Sequence, residues 1–361
     1  MKKIFFAAYD LDLGGIETAL ITLINRLSEE KEYEITLGLE KKEGIFLEDL
    51  DKNVKIIEYR ANNSKIVPLR KAINFFKRLG FIFKYKNKFD FSASYATYSL
   101  PAGFMARTAS KNNALWVHAD YLSLFDGKEE EVKHFFENVH HEKYKNIVFV
   151  SNEAREAYLD AFPERKTATA VINNIIDYEK IRKLSQEEIE IGRDTRVTTF
   201  INVGRHYEKQ KRVSRIIEAA ERLKVNGLPF RVLLVGDGED TDNYKQIVKE
   251  KKLENEVIFL GRKKNPYPYF KISDCLVLSS DYEGYPVVFV EAFTLGLPII
   301  TTDVSDSCEE IQGRFGYVTY KKTEDIYEHM KKFIEEGYMI QNRFDPIEFN
   351  STQIEKLKKI I

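Results

Sequence analysis

Asp281-Tyr282-Glu283-Gly284-Tyr285-Pro286-Val287-Val288-Phe289-Val290-Glu291-Ala292 follows the apolar run Cys275 to Leu278, and together they read as a strand, a tight loop and a helix. Gly284 lets the backbone come close to a ligand, and Pro286 suits the first helical position, where its missing N–H costs nothing. Free amides at such a helix start, Tyr285 among its residues, favour a phosphate or a polarised hydroxyl, while Glu283 can accept hydrogen bonds from hydroxyls. Glu291, further along the helix, is expected roughly 7 to 8 Å deeper than Pro286, its side chain tilted back toward the helix start. Two carboxylates so placed can grip separate hydroxyl sets of one extended ligand. The plain alternative makes Glu283 a solvated loop residue and puts Glu291 on an exposed helix face.

Working outward, the same alternation recurs along the chain. Candidate strands are Lys3 to Ala8, Glu34 to Leu39, Val54 to Tyr59, Phe91 to Ala96, Ala114 to His118, Asn146 to Ser151 and Thr167 to Ile172 in the first half. Thr198 to Val203, Phe230 to Val235, Val257 to Leu260, Cys275 to Leu278 and Ile299 to Thr301 follow in the second. Short apolar runs separated by segments of helical spacing predict an α/β fold of parallel sheets with crossover helices. A chain of 361 residues exceeds one ordinary core. Two doubly wound, Rossmann-like domains facing a central cleft are therefore expected, with boundaries at 1–175 and 176–348 and a final helix over 349–361 packing back on the first. The polar stretch Leu184 to Arg196 reads as a surface segment close to the hinge.

Hydrophobic residues make up 43% and charged residues 31% of the chain, which suits a soluble globular protein and leaves no long disordered tract. A formal charge of -1 argues against wholesale nucleic-acid binding. The two cysteines, Cys275 and Cys308, have no metal-knot or disulfide spacing and fit a reducing compartment. The N-terminal apolar run is too short for a signal peptide, and no stretch is long enough to span a bilayer, so a cytoplasmic location is expected.

The spacing of Glu283 and Glu291 around Gly284 and Pro286 resembles the two-glutamate motif of retaining glycosyltransferases of family four, whose fold is GT-B. Gly14-Gly15-Ile16-Glu17 after the first strand is similar to that family's N-terminal glycine loop. Val203-Gly204-Arg205 with Lys211 is similar to its diphosphate-gripping arginine and lysine. Val235-Gly236-Asp237-Gly238, Val150-Ser151, Ile172 to Asp177 and Phe259-Leu260-Gly261 are further landmarks of the same likeness. The resemblance implies transfer of a sugar from a nucleotide-diphosphate donor with retention of configuration. In it Glu283 positions the donor sugar, Glu291 binds the ribose, and Arg205 and Lys211 stabilise the diphosphate. Gly15 would meet the phosphate, Glu17 would lie near the acceptor or the sugar, and His118 resembles a sugar-contacting histidine.

Elementary chemistry supports the basic pair, because a diphosphate leaving group gains negative charge as its glycosidic bond breaks and fixed cations lower that barrier. Arg205 stands at a strand end where its planar fork can hold two phosphate oxygens, and Lys211 can add a point charge. The spacing from Arg205 is one residue longer than in the family, so Lys209 rivals Lys211 for the phosphate. Gly14-Gly15 allows close backbone approach at the start of a helix expected over Glu17 to Leu27, and serves equally as a tight turn. His118, closing the run Ala114 to Val117, is either structural or a cleft residue.

Gly236-Asp237-Gly238 has Thr241 where a dinucleotide fingerprint needs its third glycine, so it reads as a turn and no cofactor is implied beyond the donor itself. The acid pairs Asp10-Leu11-Asp12, Asp49-Leu50-Asp51 and Asp240-Thr241-Asp242 are read as acidic loops. Two cations suffice for the diphosphate, so no metal site is expected.

Ser64 to Phe89 carries Lys65, Arg70, Lys71, Lys77, Arg78, Lys84, Lys86 and Lys88 without an acidic residue, interleaved with Phe75, Phe76, Phe81, Phe83 and Tyr85. It reads equally as a crossover helix with a solvated basic face or as a segment docking on an anionic membrane where a lipid-linked acceptor waits. The likeness suggests a hexose or N-acetylhexosamine from a UDP-sugar, a glycan or lipid-linked acceptor, and a capsule, exopolysaccharide or other envelope product. Rival readings are a sugar-nucleotide epimerase, a phosphorylase, or a catalytically silent subunit that binds a partner or glycan.

Overall fold

A computed structural model describes residues 1–12, 14–341 and 343–361. It divides the chain into two compact units, Met1–Ile175 with Phe349–Ile361, and Ile176–Glu348. Each is built on a sheet in which every neighbouring pair of strands runs parallel.

In the first unit β1 (Lys2–Ala8), β2 (Tyr33–Leu39), β3 (Lys55–Glu58), β4 (Phe91–Ser94), β5 (Asn113–Val117), β6 (Asn146–Phe149) and β7 (Thr169–Val171) lie in the order β3-β2-β1-β4-β5-β6-β7. The second carries β8 (Thr198–Val203), β9 (Phe230–Val235), β10 (Val257–Gly261), β11 (Cys275–Leu278), β12 (Ile299–Thr302) and β13 (Gly316–Thr319), ordered β10-β9-β8-β11-β12-β13. Strand order reverses between β1 and β4 and again between β8 and β11. Ligands of such sheets bind beyond the carboxyl ends of the strands at these reversals.

The strands read as near-continuous apolar runs because both faces are covered. On β8 and β9, Phe200, Val232 and Leu234 meet Ile216, Ile217 and Ala220 of the helix Val213–Val225 and Met330 of the helix Thr323–Glu336. The intervening Ile201, Leu233 and Val235 face Phe289, Ala292 and Phe293 of the helix Val287–Thr294. In the first unit Phe5, Ala7, Leu115, Val117, Ile147 and Phe149 cover Met105 and Ala106 in the same manner.

The segment 184–196 lies on the surface of the second unit, a few residues past the boundary at Ile175 and Ile176; Ile189 packs on its core and Arg193 pairs with Asp274 at 2.7 Å. Several local readings change. Pro286 is the residue before the helix, in an extended conformation (φ -64°, ψ 109°), and not its first helical residue. The N-terminal helix starts at Gly15, two residues before the expected Glu17. The last helix, Pro346–Lys358, begins earlier than its apolar pattern does, because the Asp345 carboxylate accepts hydrogen bonds from the amides of Ile347 and Glu348. No helix among the described residues is long and apolar enough to cross a membrane.

Candidate active site

In the second unit a group of paired charged side chains lies at the β8–β11 reversal. After β8 the chain turns through Gly204 and Arg205 into a single helical turn, Glu208–Lys211, which breaks at Arg212 in a left-handed conformation (φ 48°) before the helix Val213–Val225. The break is held from the β11 side. Asp281 takes Arg212 Nε and Arg215 Nη1, each at 2.6 Å, and Ser279 Oγ donates to the carbonyls of Lys211 and Arg212. Burial pushes the Asp281 carboxyl up, but the hydrogen bonds from Arg212 and Arg215 outweigh it and hold the group below the usual carboxylate range. Asp281 N also donates to the Gln210 carbonyl at 2.8 Å. The loop after β11 and the turn after β8 are thereby one rigid piece.

That piece sets Lys211 against Glu283. Lys211 Nζ lies 2.6 Å from Glu283 Oε1, which also receives Ser280 Oγ at 2.7 Å, while Gln210 Nε2 reaches Oε2 at 3.4 Å. Glu283 is buried, so it is not the solvated loop residue of the plain alternative. The Lys211 side chain runs over Gly204, and the exposed Arg205 is the next residue. Arg205 makes no side-chain hydrogen bond or ion pair among the described residues, which leaves its guanidinium available to an anion. Lys209, the rival of Lys211, is exposed on the same turn.

Glu291 is buried rather than set on an exposed helix face. Its partner is not Glu283 but Tyr267, whose hydroxyl donates to Glu291 Oε1 at 3.0 Å. Burial raises the Glu291 carboxyl to about 7, with the tyrosine's hydrogen bond opposing. Burial, then the glutamate's charge, lifts the Tyr267 phenol well above its ordinary value. Tyr285 is buried beside this helix start. Tyr267 is not among the expected site residues, although its setting, Asn265-Pro266-Tyr267-Pro268 just past the end of β10, signals it, since strand ends of this kind line sites.

Gly236 and Gly238 form the expected turn after β9. Gly236 has φ +149°, and a Cβ there would stand 1.8 Å from the Gly204 carbonyl oxygen. Asp237 accepts from Thr241 Oγ1 at 2.6 Å, and Asp240 accepts the Glu208 amide at 2.7 Å, so these acids cap and tie loops.

The first unit gathers a second group at the ends of β1, β4 and β5. The helix Gly15–Ser28 starts there, with Gly14 capping in extended conformation and the Glu17 carboxylate folded back over it. Gly15 is exposed, and a Cβ on it would meet nothing within 4 Å. His118 follows β5 with its ring 4.5 Å from that of Tyr95. Among the described residues neither buried ring nitrogen makes a well-formed hydrogen bond, and burial lowers its pKa to about 3, the nearby Tyr95 backbone opposing this only in part. It is neutral at physiological pH.

Residues 185–348 match the family model for glycosyl transferases group 1. An uncharacterized glycosyltransferase of Methanocaldococcus jannaschii is 33% identical over 175 residues, 47% of this chain and 42% of that protein, so the chain matches less than half of that relative's length. The Campylobacter jejuni N-acetylgalactosamine-N,N'-diacetylbacillosaminyl-diphospho-undecaprenol 4-alpha-N-acetylgalactosaminyltransferase is 24% identical over 93% of this chain and 91% of its own. Among solved structures, Anabaena HepE in complex with UDP-glucose superposes with a TM-score of 0.78 at 20% identity, covering 99% of this chain and 100% of that one. The fold class is the α/β GT-B type, with two Rossmann-like parallel-sheet units. The group 1 match lies within the second unit, which carries Arg205, Lys211, Glu283 and Glu291.

Proposed function

We propose that the protein is a retaining glycosyltransferase that moves a hexose or N-acetylhexosamine from a UDP-sugar to a glycan or lipid-linked acceptor in cell-surface polysaccharide synthesis. The observation that carries the reading is the 2.6 Å contact between Lys211 and Glu283 beside Arg205 at the β8–β11 reversal. A diphosphate needs cations, a sugar needs a hydroxyl acceptor, and this reversal offers both.

In this reading Arg205 and Lys211 hold the diphosphate, Glu283 takes sugar hydroxyls, Glu291 takes the ribose, and the residues Gly284 to Pro286 present backbone to the donor. Gly15 meets the phosphate, His118 the sugar, and Glu17 the acceptor. The bond from the sugar's anomeric carbon to the diphosphate oxygen breaks, and the acceptor oxygen bonds the same face of that carbon. Because the acceptor oxygen attacks directly, no protein nucleophile takes part, and its proton passes to a donor phosphate oxygen, while Arg205 and Lys211 supply the charge that a metal would otherwise bring to the diphosphate. The names of the Campylobacter and Anabaena proteins support an undecaprenol-linked type of acceptor and a UDP-sugar. In this reading the enzyme works at the inner face of the cell membrane.

The test is release of UDP from a panel of UDP-sugars, with and without lipid-linked glycan acceptors, followed by assignment of the product's anomeric configuration. Acceptor-dependent release with retained configuration is expected. Release that never depends on an acceptor, or an inverted product, overturns the reading.

A further inference from the structure

The helix Val67–Tyr85 in the first unit is turned inside out for a helix of a water-soluble surface. Its one buried residue is Phe81, held by the rings of Tyr59 at 5.3 Å, Phe104 at 5.6 Å and Tyr85 at 4.8 Å. At 3.6 residues per turn, the side opposite Phe81 is occupied by Leu69, Ala72, Phe76, Leu79 and Phe83, a single stripe along the helix. Polar residues belong there in an ordinary amphipathic helix. Instead the stripe is open: Phe76 is 69% and Phe83 93% exposed, with Leu69 and Leu79 near half. Lys71 and Lys84 stand one on each side of the stripe, about 110° from its centre, while Arg70, Lys77 and Arg78 lie nearer the face that carries Phe81.

We propose that this stripe seats in the headgroup and upper acyl region of an anionic bilayer, with the flanking cations on lipid phosphates. The proposal deepens the membrane-side part of the function above by naming the surface that docks. Charge decides the occupant. Against a second copy of the same helix, the segment 64–89 would set eight cations against eight with no acid between them. An anionic lipid surface satisfies the apolar stripe and both cationic flanks at once. The helix cannot cross the bilayer, so it lies in the interface plane.

The full chain is sedimented with vesicles of phosphatidylcholine alone and of phosphatidylcholine mixed with phosphatidylglycerol. Binding to the mixed vesicles only is expected. Lys71→Gln with Lys84→Gln, one charge from each flank, should weaken it by about 25-fold, about fivefold per cation. Phe76→Ser with Phe83→Ser should weaken it by about tenfold or more at unchanged charge. Lys77 and Arg78 are spared because Lys77 bonds the Arg60 carbonyl and Arg78 covers the Phe104 ring, so their loss would also disturb packing. Thermal stabilisation by UDP reports folding separately: the variants should keep it, and its loss in wild type counts against the donor reading while leaving docking standing. Absence of vesicle binding, equal binding to both vesicle types, or unchanged binding by the serine pair overturns the proposal, as does a dimer that the serine pair dissolves without any vesicle binding.

Discussion

Lys211 Nζ stands 2.6 Å from Glu283 Oε1, with Lys211 about a quarter exposed and Glu283 nearly buried, so the lysine is already neutralised before any phosphate arrives. A diphosphate reaching Lys211 must compete with this carboxylate. Glu283→Gln removes the competitor and also a charged acceptor for sugar hydroxyls. UDP should then bind about fivefold tighter, since a partly screened pair is worth about 1 kcal/mol, while transfer from the UDP-sugar falls. Calorimetric titration with UDP and a UDP-release assay measure the two; weaker UDP binding with near-normal transfer would contradict the arrangement.

Arg205 is exposed and makes no side-chain hydrogen bond or ion pair among the described residues, so its truncation should leave stability alone. Arg205→Ala is expected to lower kcat about a hundredfold or more, the usual cost of a lost partner to developing charge, with Tm unchanged. Lys211→Ala should behave similarly toward kcat and Lys209→Ala should stay within a few-fold. The reverse order of the two lysines would reassign the phosphate grip.

Glu291 titrates near 7 in the folded chain against an ordinary 4.5, because burial disfavours its charged form. The folded state therefore holds this proton more tightly than the unfolded state, and stability falls as pH rises between the two values, by at most about 3 kcal/mol. Glu291→Gln should remove that slope. Melting curves of the two proteins, compared from about pH 5 to about pH 8, are expected to diverge with the wild type losing ground at the alkaline end; parallel curves would refute the burial argument.

Gly15 and Gly236 differ in what an added methyl would meet. Gly236→Ala drives a methyl into the Gly204 carbonyl at positive φ and should lower stability by about 2 kcal/mol or more. Gly15→Ala meets nothing in the structure, so Tm should hold while affinity for the donor drops as the methyl blocks backbone approach to a phosphate. Full transfer activity in Gly15→Ala would remove that glycine from the site.

The sequence alone settled what depends on neighbours along the chain. The runs Thr198–Val203, Phe230–Val235 and Cys275–Leu278 coincide with strands end to end, because strands covered on both faces are mostly apolar and stand out from the polar segments on either side. β13 is not among the expected strands, being four residues that open on Gly316 and pair with β12 at the sheet's edge. The start of the last helix at Pro346 was legible in Asp345-Pro346, but the apolar pattern drew the reading further on. Which charged groups meet could not be read locally. Lys211 and Glu283 are 72 residues apart and join because β8 lies beside β11, pairing Phe200 with Cys275. The burial of Glu291 and its bond to Tyr267 depend likewise on helices brought together over the sheet. Side-chain periodicity is local, whereas strand order, burial and the electrostatics that follow from them exist only once the sheet has closed around its core.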